Sequence, residues 1–153
     1  MLFAALAYLR AMPGAPAGVG YWAAGYGLWV IRLGCYLMAG HLEPQFITFL
    51  AESLQATASL LLLMGTLRFL GRPVQALYLA HGIGLVTAWS ALTTFIVDDF
   101  QLRSIPLYAV SGGALIFAGG LILRARREIE VASGQLVGVA LLLWGLHKLD
   151  YPW

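Results

Sequence analysis

Two charged side chains stand inside stretches of this chain that are otherwise apolar. Arg32 lies in the run 21–40 and Glu52 in the run 45–70. A charged side chain at membrane depth is costly, so it usually has a partner and a function. Counted from the polar turn between the runs, Arg32 lies roughly 12 Å deep and Glu52 roughly 10 Å deep. The similar depths predict an Arg32–Glu52 ion pair, with Gln55 on the same face as a hydrogen-bond partner of Glu52.

This ion pair has two interpretations. It is either a structural contact that fixes how two helices pack, or a buried charge pair that a ligand or the membrane field perturbs. The sequence alone leaves both open.

A second group of reactive side chains lies near the end of the chain. Trp144, His147, Lys148 and Tyr151 are spaced i, i+3, i+4 and i+7, which places them on one helical face. The face is either an interfacial belt of aromatic residues with a snorkelling lysine, or a surface that senses a ligand or protons. The second hypothesis rests on His147, because histidine titrates near neutral pH.

The composition indicates the kind of fold that must position these groups. The chain is 61% hydrophobic and only 10% charged, whereas a soluble domain has about 25% charged residues. Its apolar runs are continuous, which favours helices over the alternating strands of a membrane barrel. We therefore predict an all-α, polytopic transmembrane helix bundle. It forms one domain over residues 1–153, with five full spans and a short N-terminal apolar segment.

Six helical segments are predicted. They run over about 1–12, 21–40, 45–70, 74–97, 105–124 and 131–149. The first is too short to span, because twelve residues rise about 18 Å against a hydrocarbon core of about 30 Å. Short connections make successive helices antiparallel neighbours.

Basic residues in the short loops predict the orientation. One side collects most of them and is predicted to be cytoplasmic, whereas the other holds only Arg103 and Lys148. The N-terminus and the Trp153 end are then outside. The cytoplasmic set is Arg10, Arg68, Arg72, Arg124, Arg126 and Arg127.

Partners and cofactors are weakly indicated. The net charge of +2 gives no reason to expect nucleic acid, and the single cysteine, Cys35, excludes a disulfide framework. Small residues at Gly134 and Gly138, and at Ala114 and Ala118, predict close helix packing within the chain first and homodimer contacts second. The lipid bilayer is the expected partner. No metal or other cofactor is expected, and loop charges such as Glu43 and Asp98 are interpreted as solvated.

Three segments resemble a known family. The stretch Trp144–Pro152, the pattern Leu67–Pro73 and the proline-containing entry Met12–Ala15 are similar to the N-terminal membrane sensor region of bacterial diguanylate cyclases (GGDEF proteins) and some sensor histidine kinases. In that family a cytoplasmic output domain follows the helices. The resemblance implies a fragment of a longer sensor in the bacterial inner membrane, lacking the last helix and the output domain. The sensing positions it implies are Trp144, His147, Lys148, Asp150 and Tyr151.

The leading functional hypothesis is accordingly a signal-transducing membrane module without enzymatic activity of its own, as in two-component and cyclase systems. One alternative is a small stand-alone transporter or membrane subunit. Another is a haem- or quinone-binding electron carrier that uses His81 and His147, although the predicted segments place these two residues at different depths.

Overall fold

The computed structural model describes residues 2–38, 40–72, 74–125 and 132–150, and within them every regular element is an α-helix. The predicted all-helical architecture with six segments is confirmed. The helices are α1 (Leu2–Ala11), α2 (Val19–Leu37), α3 (Pro44–Phe69), α4 (Ala76–Phe95), α5 (Phe100–Arg124) and α6 (Ala132–Asp150).

Three helices, α3, α4 and α5, are long and apolar enough to cross a membrane by length and composition. The prediction of five full spans is not supported, because α2 and α6 do not meet the same criterion within the described residues. Glycines, aromatic residues and Arg32 dilute the hydropathy of α2, and α6 ends in polar residues. α1 has 10 residues and is short, as expected.

Helix α5 begins at Phe100, earlier than the predicted start near 105. The Asp99 carboxylate caps it by accepting a hydrogen bond from the backbone N–H of Leu102 at 2.8 Å. Asp98 makes the preceding turn with a positive φ of 48°. Arg103 therefore lies in the first turn of a helix rather than in the predicted outer loop.

Helix α3 is the centre of the bundle and packs against α2, α4 and α5, while α6 packs against α5. α1 runs antiparallel to α2, since the Phe3 ring lies beside Gly27 and the Arg10 side chain beside Gly20. At the end of the bundle where α3 and α5 finish, Arg72 and Arg124 line one shallow depression. The predicted cytoplasmic arginines Arg126 and Arg127 lie outside the described residues.

Glycines bring α5 and α6 into backbone contact. A Cβ atom on Gly112 would lie 2.8 Å from the carbonyl oxygen of Gly145, and one on Gly119 would lie 2.6 Å from that of Gly138. Real Cβ atoms do not approach this closely, so only glycine allows the observed helix separation. The two contacts recur every seven residues along both helices, and we call them the α5–α6 seam. Of the predicted small-residue pairs, Gly138 joins this seam and Ala118 packs in the core.

Helices α2 and α3 form a second hairpin of the same kind. Gly18 lies against the backbone of Gly65, and a Cβ atom on Gly25 would lie 3.0 Å from the carbonyl oxygen of Ala58. These contacts, the α2–α3 seam, also recur every seven residues. One further step along the seam brings Arg32 opposite Ala51.

The two hairpins meet through an apolar core at the middle of the bundle. Its buried members are Leu62, Leu115, Ala118, Ile122 and Leu141, contributed by α3, α5 and α6. A smaller cluster of Ala56, Val86 and Leu107 attaches α4. Helix α4 is the most exposed of the three membrane-length helices, because only 17% of its most apolar 18-residue stretch is buried inside the bundle.

Candidate functional site

Four helices bring charged side chains together near the end of the bundle opposite Arg72 and Arg124, which is the end predicted to face outward. We call this group the outer cluster; it consists of Arg32 on α2, Glu52 and Gln55 on α3, Arg103 on α5 and Lys148 on α6. Arg32 is 9% exposed and Lys148 is 8% exposed. Both are therefore buried cations, which proteins rarely tolerate without specific partners.

Arg32 is held by the α2–α3 seam. Its Nε donates to the carbonyl oxygen of Ala51 at 3.2 Å, and its Nη2 donates to the hydroxyl of Tyr36 at 2.8 Å. The guanidinium also lies over the Trp29 ring, 4.8 Å from the centroid. The small side chain of Ala51 makes this approach possible, because it leaves the backbone carbonyl of α3 accessible.

The predicted Arg32–Glu52 ion pair is wrong. Glu52 Oε2 instead lies 3.2 Å from Arg103 Nε, and both side chains are about one-tenth exposed (12% and 11%). The physical reason is the helical turn. Ala51 faces α2, and one residue further the side chain is rotated by about 100°, which directs Glu52 toward α5. Arg32 then lies beyond ion-pair distance of Glu52 but still within electrostatic reach of it. Neither Glu52 Oε2 nor Arg103 Nε has a well-aligned hydrogen-bond partner, so the contact between them is chiefly electrostatic.

The predicted hydrogen bond between Gln55 and Glu52 is also wrong. Gln55 Oε1 accepts a hydrogen bond from Lys148 Nζ at 3.3 Å, across 93 residues of sequence. Gln55 is only 2% exposed, so the contact lies inside the bundle. The Lys148 ammonium thus bonds to a neutral amide, and no carboxylate of the described chain pairs with it.

An aromatic group surrounds the two buried cations. Lys148 Nζ lies 5.0 Å from the centroid of Trp29 and 5.6 Å from that of Tyr108. Trp29 in turn packs against Trp144 with ring centroids 4.9 Å apart. The Trp29 ring thus contacts Arg32, Lys148 and Trp144 together. Its Nε1 is buried and has no hydrogen-bond acceptor among the described residues.

The predicted sensing stripe on α6 divides into an inner and an outer part. Trp144 and Lys148 face the bundle, whereas His147 and Asp150 are exposed. The interpretation of Lys148 as a snorkelling residue at the interface is therefore wrong, because its ammonium points inward to Gln55. Tyr151, the remaining member of the stripe, lies outside the described residues.

The two histidines proposed for an electron carrier do not come together. His81 is exposed on α4, where its Nδ1 lies 2.8 Å from the carbonyl oxygen of Leu77 in the preceding turn. It lies in the half of α4 nearer to Arg72, whereas His147 lies at the opposite end of the bundle on α6. Among the residues that the structure describes, no group of three or more His, Cys, Asp or Glu side chains could hold a metal ion.

The outer cluster joins the two hairpins. Its two contacts between side chains of different helices, Glu52–Arg103 and Gln55–Lys148, connect α3 of one hairpin with α5 or α6 of the other. Within the hairpins, the helices approach closely at glycine and alanine, and Trp22 and Arg32 of α2 also donate hydrogen bonds to backbone carbonyls of α3. The charges therefore lie where one hairpin would slide against the other.

Sequence reasoning missed Arg103 and Trp29 as members of this site. Arg103 was detectable in principle, because an Asp99 N-cap starts α5 early enough to place Arg103 within the helix. The membership of Trp29 was harder to predict from the sequence. Trp29 lies three residues before Arg32 on the same helical face, and such spacing is common among core aromatic residues.

A scan of protein-family models, a search of curated proteins and a search of solved structures found no match to this chain. The function is therefore inferred from the geometry of the outer cluster.

Proposed function

We propose that the chain is a sensory and signal-transducing membrane module, and that the outer cluster is its responsive site. The observation that supports this most directly is the placement of the buried charges, which bridge two rigid hairpins. Intramembrane ionisable groups are functional sites by default. The resemblance of 144–152 to a sensor region agrees with the same assignment.

The proposed mechanism is a small shift between two packing arrangements. Each hairpin moves as one body, because its seam leaves no space for sliding without backbone collision. A stimulus that changes the balance of charge in the outer cluster would favour one arrangement over the other. Packed helices shift by roughly 1–2 Å in such transitions. The signal would reach a cytoplasmic output domain, either a diguanylate cyclase or a histidine kinase, that belongs to a longer form of the protein.

We further propose that α2 and α6 cross the membrane together with α3, α4 and α5. Their buried charges face the bundle, whereas their outward faces are apolar. The exposed apolar residues are Val30, Ile31, Leu33 and Leu37 on α2, and Leu136, Val137, Val139, Leu143 and Leu146 on α6. A helix whose polar groups face its partners and whose outer face is apolar is compatible with lipid even when its mean hydropathy is modest.

In the proposed orientation the N-terminus and the Trp153 end are outside the bacterial inner membrane. The loops that carry Arg68 and Arg72, and Arg124 to Arg127, are cytoplasmic, which follows the positive-inside rule. The outer cluster is then on the side that faces the environment.

The experiment that tests the mechanism measures distances between spin labels in a Cys35→Ser background. One pair, at Val30 and Phe117, spans the two hairpins; a control pair, at Val30 and Phe46, lies within one hairpin. All three positions are exposed. We expect Glu52→Gln to shift the distance between hairpins by about 1–2 Å and to leave the control distance unchanged. Equal distances in both proteins for the first pair would overturn the two-hairpin mechanism.

Reading the genomic frame beyond the codon for Trp153 tests the proposed output. An open frame that encodes a further helix and a cyclase or kinase domain would support a sensor. A stop codon at that position would favour the transporter or membrane-subunit alternatives.

A further inference from the structure

We infer that the outer cluster contains a binding site for an oxyanion, formed by Arg32, Lys148 and the indole N–H of Trp29. The inference extends the proposed function by naming the chemistry of the stimulus, and it rests on that function only for the consequence of binding. Binding itself follows from the charges and donors described below.

Positive charge exceeds negative charge within the outer cluster. The outer cluster holds three cationic side chains, Arg32, Arg103 and Lys148, but Glu52 is its single carboxylate, and Glu52 lies against Arg103. Within the described residues, no carboxylate lies in ion-pair distance of Arg32 or Lys148. Removing a cation from water is unfavourable unless an opposite charge compensates. The excess of positive charge in this buried region favours an anion.

Three side chains of this region have N–H groups that are available to a further acceptor. Arg32 donates through Nε and Nη2, and Lys148 donates to Gln55, so both retain N–H groups for another acceptor. Trp29 Nε1 is a buried donor without an acceptor in the part of the chain described. An unsatisfied buried donor is destabilising, and an anion that accepts its hydrogen bond would remove that cost.

The two buried cations lie close to the same indole ring. Arg32 and Lys148 come from helices in different hairpins, yet both lie against the ring of Trp29, at 4.8 Å and 5.0 Å from its centroid. Both cations therefore lie over one indole ring, and the edge of that ring carries the third donor, the buried Nε1–H. A guanidinium presents a planar fork that matches the two oxygens of a carboxylate or phosphate, which favours an oxyanion over a halide.

The position of the site leaves two sources for this oxyanion. Lys148 lies near the end of α6, and Arg32 lies less than two turns from the end of α2. Both are thus close to the level of lipid headgroups. The oxyanion belongs either to an anionic lipid headgroup or to a small soluble molecule that enters from outside.

The test uses the full chain in neutral detergent micelles and follows the indole N–H signals of its five tryptophans by NMR. Trp29→Phe assigns the Trp29 signal. The probes are inorganic phosphate, acetate, and phosphatidylglycerol added to phosphatidylcholine bicelles, with sodium chloride at equal ionic strength as the control. We expect the Trp29 signal to move saturably with an oxyanion and not with chloride. Trp22 and Trp89 are internal controls, because their Nε1 atoms already donate to Leu62 O at 3.2 Å and Leu102 O at 3.1 Å.

A shift with phosphatidylglycerol alone supports a lipid source, and a shift with phosphate or acetate supports a soluble source. Arg32→Gln and Lys148→Met are each expected to weaken binding by about thirtyfold or more, since each removes one charge that contacts the anion. The charge-preserving variants Arg32→Lys and Lys148→Arg should retain the response if the site is electrostatic. Unmoved Trp22 and Trp89 signals show that each variant is folded.

No Trp29 shift with any probe would overturn the inference. So would a response in folded Lys148→Met equal to that of the unmodified chain, because Lys148 would then contribute no charge. A Trp29 response without any change in the distance between the hairpins would retain the anion site and reject the sensory mechanism.

Discussion

The contacts within each hairpin and the contacts between the hairpins differ in chemistry. Within a hairpin, glycine and alanine at seven-residue intervals bring backbones together, and no charged pair is needed. Between hairpins, the middle is apolar and one end is charged. Backbone proximity has one steric solution, whereas the charged contacts depend on the state of a few side chains. The comparison indicates that the hairpins are the rigid parts and that the junction between them is the part that can change.

Replacing Glu52 should produce the largest loss of stability. Glu52→Gln removes the single buried carboxylate beside Arg103 and leaves that guanidinium with only Asp98, 4.0 Å away and 70% exposed. Removing one partner of a buried ion pair costs about 3–5 kcal/mol, and we expect a value near the lower limit because Asp98 compensates in part. The measurement is the free energy of unfolding in mixed micelles.

Glu43→Gln is the matched control for this change. Glu43 is exposed and its side chain makes no capping hydrogen bond to α3, so the unfolding free energy should change by less than about 0.5 kcal/mol. In the double variant Glu52→Gln/Arg103→Gln, the second change should cost less than it does alone. Strictly additive losses would show that the two side chains do not interact.

Adding one methyl group to a seam should destabilise a hairpin, whereas adding it next to the seam should not. Gly112→Ala places a Cβ atom 2.8 Å from the Gly145 backbone and should cost about 2–3 kcal/mol. A Cβ atom on Gly113 would meet no atom of a neighbouring helix within 4 Å in the described part of the chain. Alanine at this exposed position of α5 should stabilise the helix by up to about 1 kcal/mol. Thermal unfolding of both variants gives the comparison directly, and equal effects would contradict the seam.

The sequence predicted the helices well and the contacts between their side chains poorly. Apolar runs bounded by turns located all six helices, because burial in lipid requires long continuous segments. The depth of Arg32 and Glu52 was also informative, since both do lie toward the same end of the bundle. Their pairing was not predictable from depth, because one residue changes the direction of a helical side chain by about 100°. The sequence analysis did not identify the helix register, which is set by Ala51, Ala58 and Gly65. These residues are spaced by seven, and the spacing could be interpreted only once α2 was known to pack against this face of α3.

The smallest stability changes are expected at His147 and Lys148, two residues that the family resemblance treats alike. His147 is exposed, so His147→Ala should change the unfolding free energy by less than about 0.5 kcal/mol. Lys148→Met loses the bond to Gln55, but it also removes a buried charge, and such exchanges are close to neutral in net stability.

The same two variants should differ strongly in the anion response of Trp29. Lys148→Met should lose it, because the ammonium lies against the Trp29 ring, whereas His147→Ala should keep it, because His147 faces away from the bundle. Two proteins of similar stability would then differ in binding alone, which locates the responsive site inside the bundle. The reverse result, with His147→Ala silent and Lys148→Met responsive, would move that site to the outer face of α6.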